Sequence, residues 1–102
     1  MKIYLSLPIT GYNLAERIEY ANKKKKELHD GWGNLEVITP FDVVTPALSK
    51  EELTKEEYAE AMGKCISALI KCDAIYLCED WQYSRGCNAE FEIAKIYRVG
   101  LV

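Results

Sequence analysis

Residues 73–94 read DAIYLCEDWQYSRGCNAEFEIA, and their reading decides the fold. Residues 74–78 are a near-continuous apolar run introduced by Asp73. A run this short, rich in strand formers and bounded by polar residues, reads as a strand buried on both faces. Residues 79–83 read as loop. Ser84 or Gly86 then opens a long helix that buries Phe91, Ala94 and either Ile96 or Tyr97, and ends near Gly100. The unit is strand, loop, helix.

Outward from it the same unit recurs. Residues 2–7 (KIYLSL) form a short buried strand, and Pro8 and Gly11 break it into a loop. Asn13 is an N-cap for an amphipathic helix with Leu14, Ile18, Ala21 and Leu28 on its apolar face. That helix ends near Asp30, with Gly31 in the left-handed C-terminal position. Residues 35–39 (LEVIT) are a second strand stopped by Pro40, and residues 41–49 a loop. Ser49 and Glu52 have capping-box spacing ahead of a helix through Leu53, Tyr58, Met62, Cys65, Ile66, Leu69 and Ile70. A break near Thr54 would make Thr54, with Glu57, a second cap. Leu101 and Val102 open a fourth strand. The order is β-α-β-α-β-α-β. Alternating elements with right-handed crossovers imply an α/β fold: one three-layer, flavodoxin/Rossmann-like domain over residues 1–102, with a parallel sheet of about four strands and helices on both faces.

Composition narrows the function. Lys plus Arg is 13 and Asp plus Glu is 16, so the net charge is -3. Duplex nucleic-acid domains are normally basic, so such a partner is not expected. A small anionic ligand needs only a local nest of donors. The basic run of residues 23–26, flanked by Glu19 and Glu27, reads as a solvated helix face. The apolar start, residues 3–9, contains Ser6 and Pro8 and is too short for a secretory core. No stretch approaches the about 20 apolar residues of a membrane span. A cytoplasmic protein without a membrane partner is expected. The four cysteines, Cys65, Cys72, Cys78 and Cys87, form no C-x-x-C pair, and the single His29 is remote. They read as reduced, buried thiols rather than a metal site.

Ligands of doubly wound sheets bind beyond the carboxyl ends of the strands, where the strand order switches between the first and third strands. That selects residues 7–11, 40–42 and 79–86. In the first loop, Leu7, Pro8, Ile9, Thr10 and Gly11 either meet an anion through backbone N–H groups and the Thr10 hydroxyl, or make an ordinary strand-to-helix turn. With one glycine it is neither a P-loop nor a dinucleotide loop. In the third loop, Trp81, Ser84, Arg85 and Gly86 lead into a helix N-terminus with Glu90 about one turn inside. Glu90 also reads as an acid complementing the helix dipole, Trp81 as a cap on the core, and Arg85 as a solvated side chain.

Together, KIYLSLPITG and DAIYLCEDWQYSRGCNAEFEIA resemble the nucleoside 2-deoxyribosyltransferase-like superfamily, and most of all a short phage and bacterial branch of it. In that family a Ser or Asp stands six residues before a nucleophilic Glu and a Gly four before it; here these are Ser84, Gly86 and Glu90. The resemblance implies cleavage or transfer of the N-glycosidic bond of a (deoxy)nucleoside or a nucleoside 5′-monophosphate, with Glu90 as nucleophile and Tyr4 positioning it. Ser at position 84 resembles the hydrolases that act on 5′-monophosphates, which implies phosphate binding by Ser84, Gly86 and Arg85. Leu7 to Gly11, Asp42 and Trp81 would complete the substrate site. No cofactor and no metal are implied. Two positions depart from the pattern: Cys65 stands where an acid is usual, and Leu7 where a glycine is usual. They motivate an alternative, a module that binds a nucleotide or ADP-ribose-type ligand without cleaving it. Relatives of this fold complete the site with a neighbouring subunit, so a homodimer or higher homo-oligomer is expected.

Overall fold

The computed structural model describes residues 1–9, 11–44 and 54–102. The first strand, β1 (Lys2–Ser6), sends alternate side chains to opposite faces. Ile3 and Leu5, with Leu7 just beyond, enter a core cluster with Ala21, Leu28 and Val37. Tyr4 enters a second cluster on the other face with Ala61, Cys65, Leu69, Ile75 and Ala94. A strand apolar on both faces must lie in the middle of a sheet, and it does. With β2 (Glu36–Ile38), β3 (Ala74–Leu77) and β4 (Gly100–Leu101) it forms a sheet of order β2-β1-β3-β4. Every pairing is parallel; β1 meets β3 with Tyr4 opposite Ile75 and Ser6 opposite Leu77.

Helix α1 (Leu14–Trp32) supplies Ala21 and Leu28 to the first cluster; α3 (Lys55–Ile70) and α4 (Arg85–Ile96) cover the second. The fold is therefore the expected α/β, three-layer, Rossmann/flavodoxin-like arrangement. The switch of strand order falls between β1 and β3, so the loops that follow them leave side by side. No helix among the described residues is long and apolar enough to cross a membrane.

Caps follow the local sequence. Asn13 accepts from the Glu16 N–H at 3.0 Å. Thr54 and Glu57 cap each other reciprocally at 3.1 and 3.0 Å, so α3 starts at the break. The Ser49–Glu52 box lies outside the described residues. Ser84, not Gly86, caps α4, its Oγ accepting from the Cys87 N–H at 3.2 Å. All four cysteines are buried free thiols.

The structure corrects several boundaries. Gly31 stays inside α1; Gly33 takes the positive φ of 74° and bonds back to the His29 carbonyl. The stretch after β2 is not all loop, because Pro40–Val43 form a short helix, α2. Pro40 has the right φ for a first helical turn, and the Asp42 carboxylate accepts from the Thr39 N–H at 2.8 Å. Trp81–Tyr83 form a 3₁₀ turn. Ile96 and Tyr97 are not core residues; they are 68% and 58% exposed. The helical period puts Cys87, Glu90 and Ala94 on the inner face of α4 and turns residues 96 and 97 away.

This division yields a stability test. Leu69 is fully buried beside Tyr4, so Leu69→Ala should lower unfolding free energy by about 2–5 kcal/mol. Ile96→Ala, on the exposed flank, should change it by less than about 0.5 kcal/mol. Urea denaturation of both variants measures the difference.

Candidate functional site

The site is built on the parity of β1. Tyr4 and Ser6 are two residues apart and therefore point to the same layer, towards α4. Glu90, in the second turn of α4, faces back at them and is only 4% exposed. The Tyr4 hydroxyl donates to Glu90 Oε2 at 2.5 Å. The Ser6 hydroxyl donates to Oε1 at 2.7 Å. Each carboxylate oxygen thus has its own donor.

Two opposed effects set the charge of this acid. Burial penalises the carboxylate; the two hydroxyl donors stabilise it. Burial prevails, and the Glu90 pKa is pushed up to about 7. Burial, with the neighbouring carboxylate, also raises Tyr4 well above the usual phenol value, so Tyr4 is a donor and not a base at neutral pH. The Cys65 thiol, from α3, shares the core cluster of Tyr4; burial pushes it up to about 11. Tyr4, Glu90 and Ser6 form one buried polar cluster linking β1 and α4, with Cys65 of α3 packed in the same core as Tyr4.

Around α4's first turn the predicted residues divide. Gly86 packs against α3: a Cβ there would lie 3.4 Å from the Tyr58 hydroxyl, 3.6 Å from Met62 Sδ and 3.9 Å from Ser84 Oγ. Tyr58 is partly exposed, and its phenol is raised chiefly by burial and then by the Glu90 charge, with Arg85 opposing. Glu90, Tyr4, Ser84, Arg85 and Gly86 are thus brought to one region. Trp81 is half-buried and meets Phe91 edge to face, with ring centroids 5.2 Å apart. The Asn88 side chain ties this turn to α4 by donating to the Gln82 and Ser84 carbonyls at 3.0 and 2.8 Å.

Other predicted residues lie elsewhere. Asp42 is not turned to Glu90; its carboxylate caps α2 and pairs with Lys25 of α1 at 3.3 Å. Leu7 is not a pocket-lining side chain. It follows Ser6 by one residue, so it points into the α1-side core, where Ile9 also packs. Pro8 is buried, and Gly11 is exposed with φ of 86°. Thr10 lies outside the described residues.

Sequence reading missed Ser6 and Tyr58 as site residues. Ser6 had a signal: it is a hydroxyl in an apolar strand, in phase with Tyr4. Tyr58 was indistinguishable from the other apolar positions of α3, because only packing of α3 on α4 sets it beside Gly86.

Fold and site together define an α/β protein that buries an acid of near-neutral pKa between two hydroxyls, beside the carboxyl ends of a parallel sheet. The chain belongs to the DUF4406 family, described as a domain of unknown function, whose model matches residues 1–102. No curated protein and no solved structure matches the chain.

The raised pKa has a stability consequence. Glu90 binds its proton more tightly folded than unfolded, so its contribution is fully present below the ordinary glutamate value and is lost as pH rises through about 7. Between pH 5 and pH 8 the wild type should lose on the order of a few kcal/mol that Glu90→Gln retains. Denaturant unfolding at both pH values measures this.

Proposed function

We propose that the protein cleaves or transfers the N-glycosidic bond of a (deoxy)nucleoside or nucleoside 5′-monophosphate, with Glu90 as nucleophile. The observation that carries this reading is the Glu90 carboxylate, buried yet held at both oxygens by Tyr4 and Ser6. The resemblance to nucleoside 2-deoxyribosyltransferase-like proteins supplies the substrate class.

In the first step an Oε of ionised Glu90 attacks the anomeric carbon. The C1′–N bond breaks, its electron pair leaves with the base, and the base takes up a proton from solvent. In the second step water, or a second base, attacks C1′, gives up one proton to solvent and releases the carboxylate, as in retaining glycosidases. Tyr4 and Ser6 hold the carboxylate in place. They also keep part of it ionised at neutral pH, because without them burial would raise its pKa further. Ser84 Oγ accepts from the Cys87 N–H, which leaves its own proton to donate to a 5′-phosphate. Arg85 and the first turn of α4 add positive potential there.

The leaving base needs a proton, and Cys65 bears on its source. Held near pKa 11 and 5% exposed, this thiol is a poor donor where an acid is usual in the resembled family. This favours one second reading: a module that binds a nucleotide or ADP-ribose-type ligand without turning it over.

One experiment separates the two. Incubation with a panel of deoxynucleosides and their 5′-monophosphates, followed by chromatography, should show free or exchanged base. Glu90→Gln should lower the rate by at least roughly a hundredfold, because the charge that meets the transition state is gone. No base release or exchange, together with a nucleotide-induced thermal shift that persists in Glu90→Gln, establishes binding alone. Neither product nor shift rejects both readings. For the enzyme, kcat/KM should rise as pH increases through about 7 and level off above it, since only ionised Glu90 attacks. A pH–rate profile tests this.

A further inference from the structure

Helix α1 begins just behind the first loop, and its early turns carry a cation held among phenol rings. The Arg17 guanidinium carbon lies 4.5 Å from the centroid of the Tyr12 ring and 4.6 Å from that of Tyr20. Two rings flanking one guanidinium hold in place a side chain that is otherwise rich in rotamers. Arg17 Nε is buried and has no hydrogen-bond partner among the described residues. The ion pairs among those residues use other cations: Lys24 with Glu27, Lys25 with Asp42, Lys64 with Glu60 and Lys95 with Glu92. Arg17 is therefore a cation flanked by two rings and used by none of these ion pairs, in a chain of net charge -3.

Its position is as informative as its pairing. The Tyr12 N–H bonds to the Ile9 carbonyl at 3.1 Å, so one flanking ring rises from the loop that follows β1. The other flanking ring, of Tyr20, packs against the core cluster that holds Leu7 and Cys78, the residues just past β1 and β3. The cluster stands at the carboxyl ends of β1 and β3, on the α1 side of the sheet, whereas Glu90 belongs to the α4 side. Ligands of such sheets lie across these strand ends.

We infer that Arg17, held between Tyr12 and Tyr20, binds an oxyanion, the phosphate or carboxylate group of a small ligand, at the carboxyl ends of β1 and β3. The donor fork of a guanidinium matches either group with two parallel hydrogen bonds. The flanking rings hold that fork in place before the ligand arrives, which lowers the ordering cost of binding. This inference stands whether or not Glu90 cleaves a glycosidic bond.

The test titrates the ¹⁵N-labelled full chain with inorganic phosphate, pyrophosphate or acetate, against chloride at matched ionic strength. The Arg17 Nε–H resonance and the backbone amides of Tyr12 and Glu79 should shift saturably with at least one oxyanion and not with chloride. The tighter of the phosphate and acetate curves identifies the group. Arg17→Gln should abolish the response, and Arg17→Lys, which keeps the charge but loses the fork, should weaken it roughly tenfold. No saturable shift at Arg17 in the wild type, or the same shift with chloride, overturns the inference. So does an unchanged response in a folded Arg17→Gln variant. The wild-type titration decides the matter even if neither variant folds.

Discussion

A carboxylate buried between β1 and α4 is the constraint on which the rest of the structure depends. Removing a charge from water is costly unless hydrogen bonds replace the lost solvent. Here Tyr4 and Ser6 supply one donor to each oxygen of Glu90, and the replacement is incomplete. The residual cost appears as a pKa near 7 in place of the ordinary glutamate value. A merely structural acid in the first turns of a helix would face solvent and complement the helix dipole. Glu90 instead turns inward, and groups whose pKa values are displaced by burial and specific partners mark functional sites more often than structural ones.

This constraint acts through β1. The strand has to be central, because a flanking strand would not be covered by helices on both sides. Its parity has to separate Ile3, Leu5 and Leu7 from Tyr4 and Ser6. One face then makes core with α1, and the other makes core at Tyr4's ring and a polar site at the two hydroxyls. A one-residue slip would exchange the faces and set hydroxyls against the α1-side core. The parallel pairing with β3, Tyr4 beside Ile75 and Ser6 beside Leu77, brings the loop that leads to α4 next to the loop that follows β1. The same pairing that builds the core therefore assembles the mouth of the site.

Much of this was legible in residue order. Short apolar runs alternating with amphipathic stretches led directly to the parallel sheet, because few other architectures satisfy that alternation. Ser84 as a helix start, with Glu90 about one turn inside, was legible from spacing, since caps and helix turns are local; the grouping of Ser84, Gly86 and Glu90 came from the resemblance. The failures were of two kinds. Gly31 against Gly33, and the short helix at Pro40–Val43, are boundary errors that depend on individual hydrogen bonds. Asp42, Leu7, Ile96 and Tyr97 are errors of direction. Each lies at or beside a predicted element, but the face it presents follows from helix phase, strand parity or a capping bond and not from residue type.

Residue order by itself determined the alternation of strands and helices, the central place of the residues 2–7 strand and the acid at position 90, because periodicity and capping act over a few neighbours. Tertiary structure alone decided that both oxygens of that acid receive hydroxyl donors from a strand 84 and 86 residues away. It also decided that Cys65 packs in the same core as Tyr4, that the Tyr58 hydroxyl lies beside Gly86, and that Arg17 is flanked by two rings. The physical reason is that burial and hydrogen-bond geometry are properties of surfaces brought together. A carboxylate acquires a pKa near 7 only once two helices and a strand have closed around it.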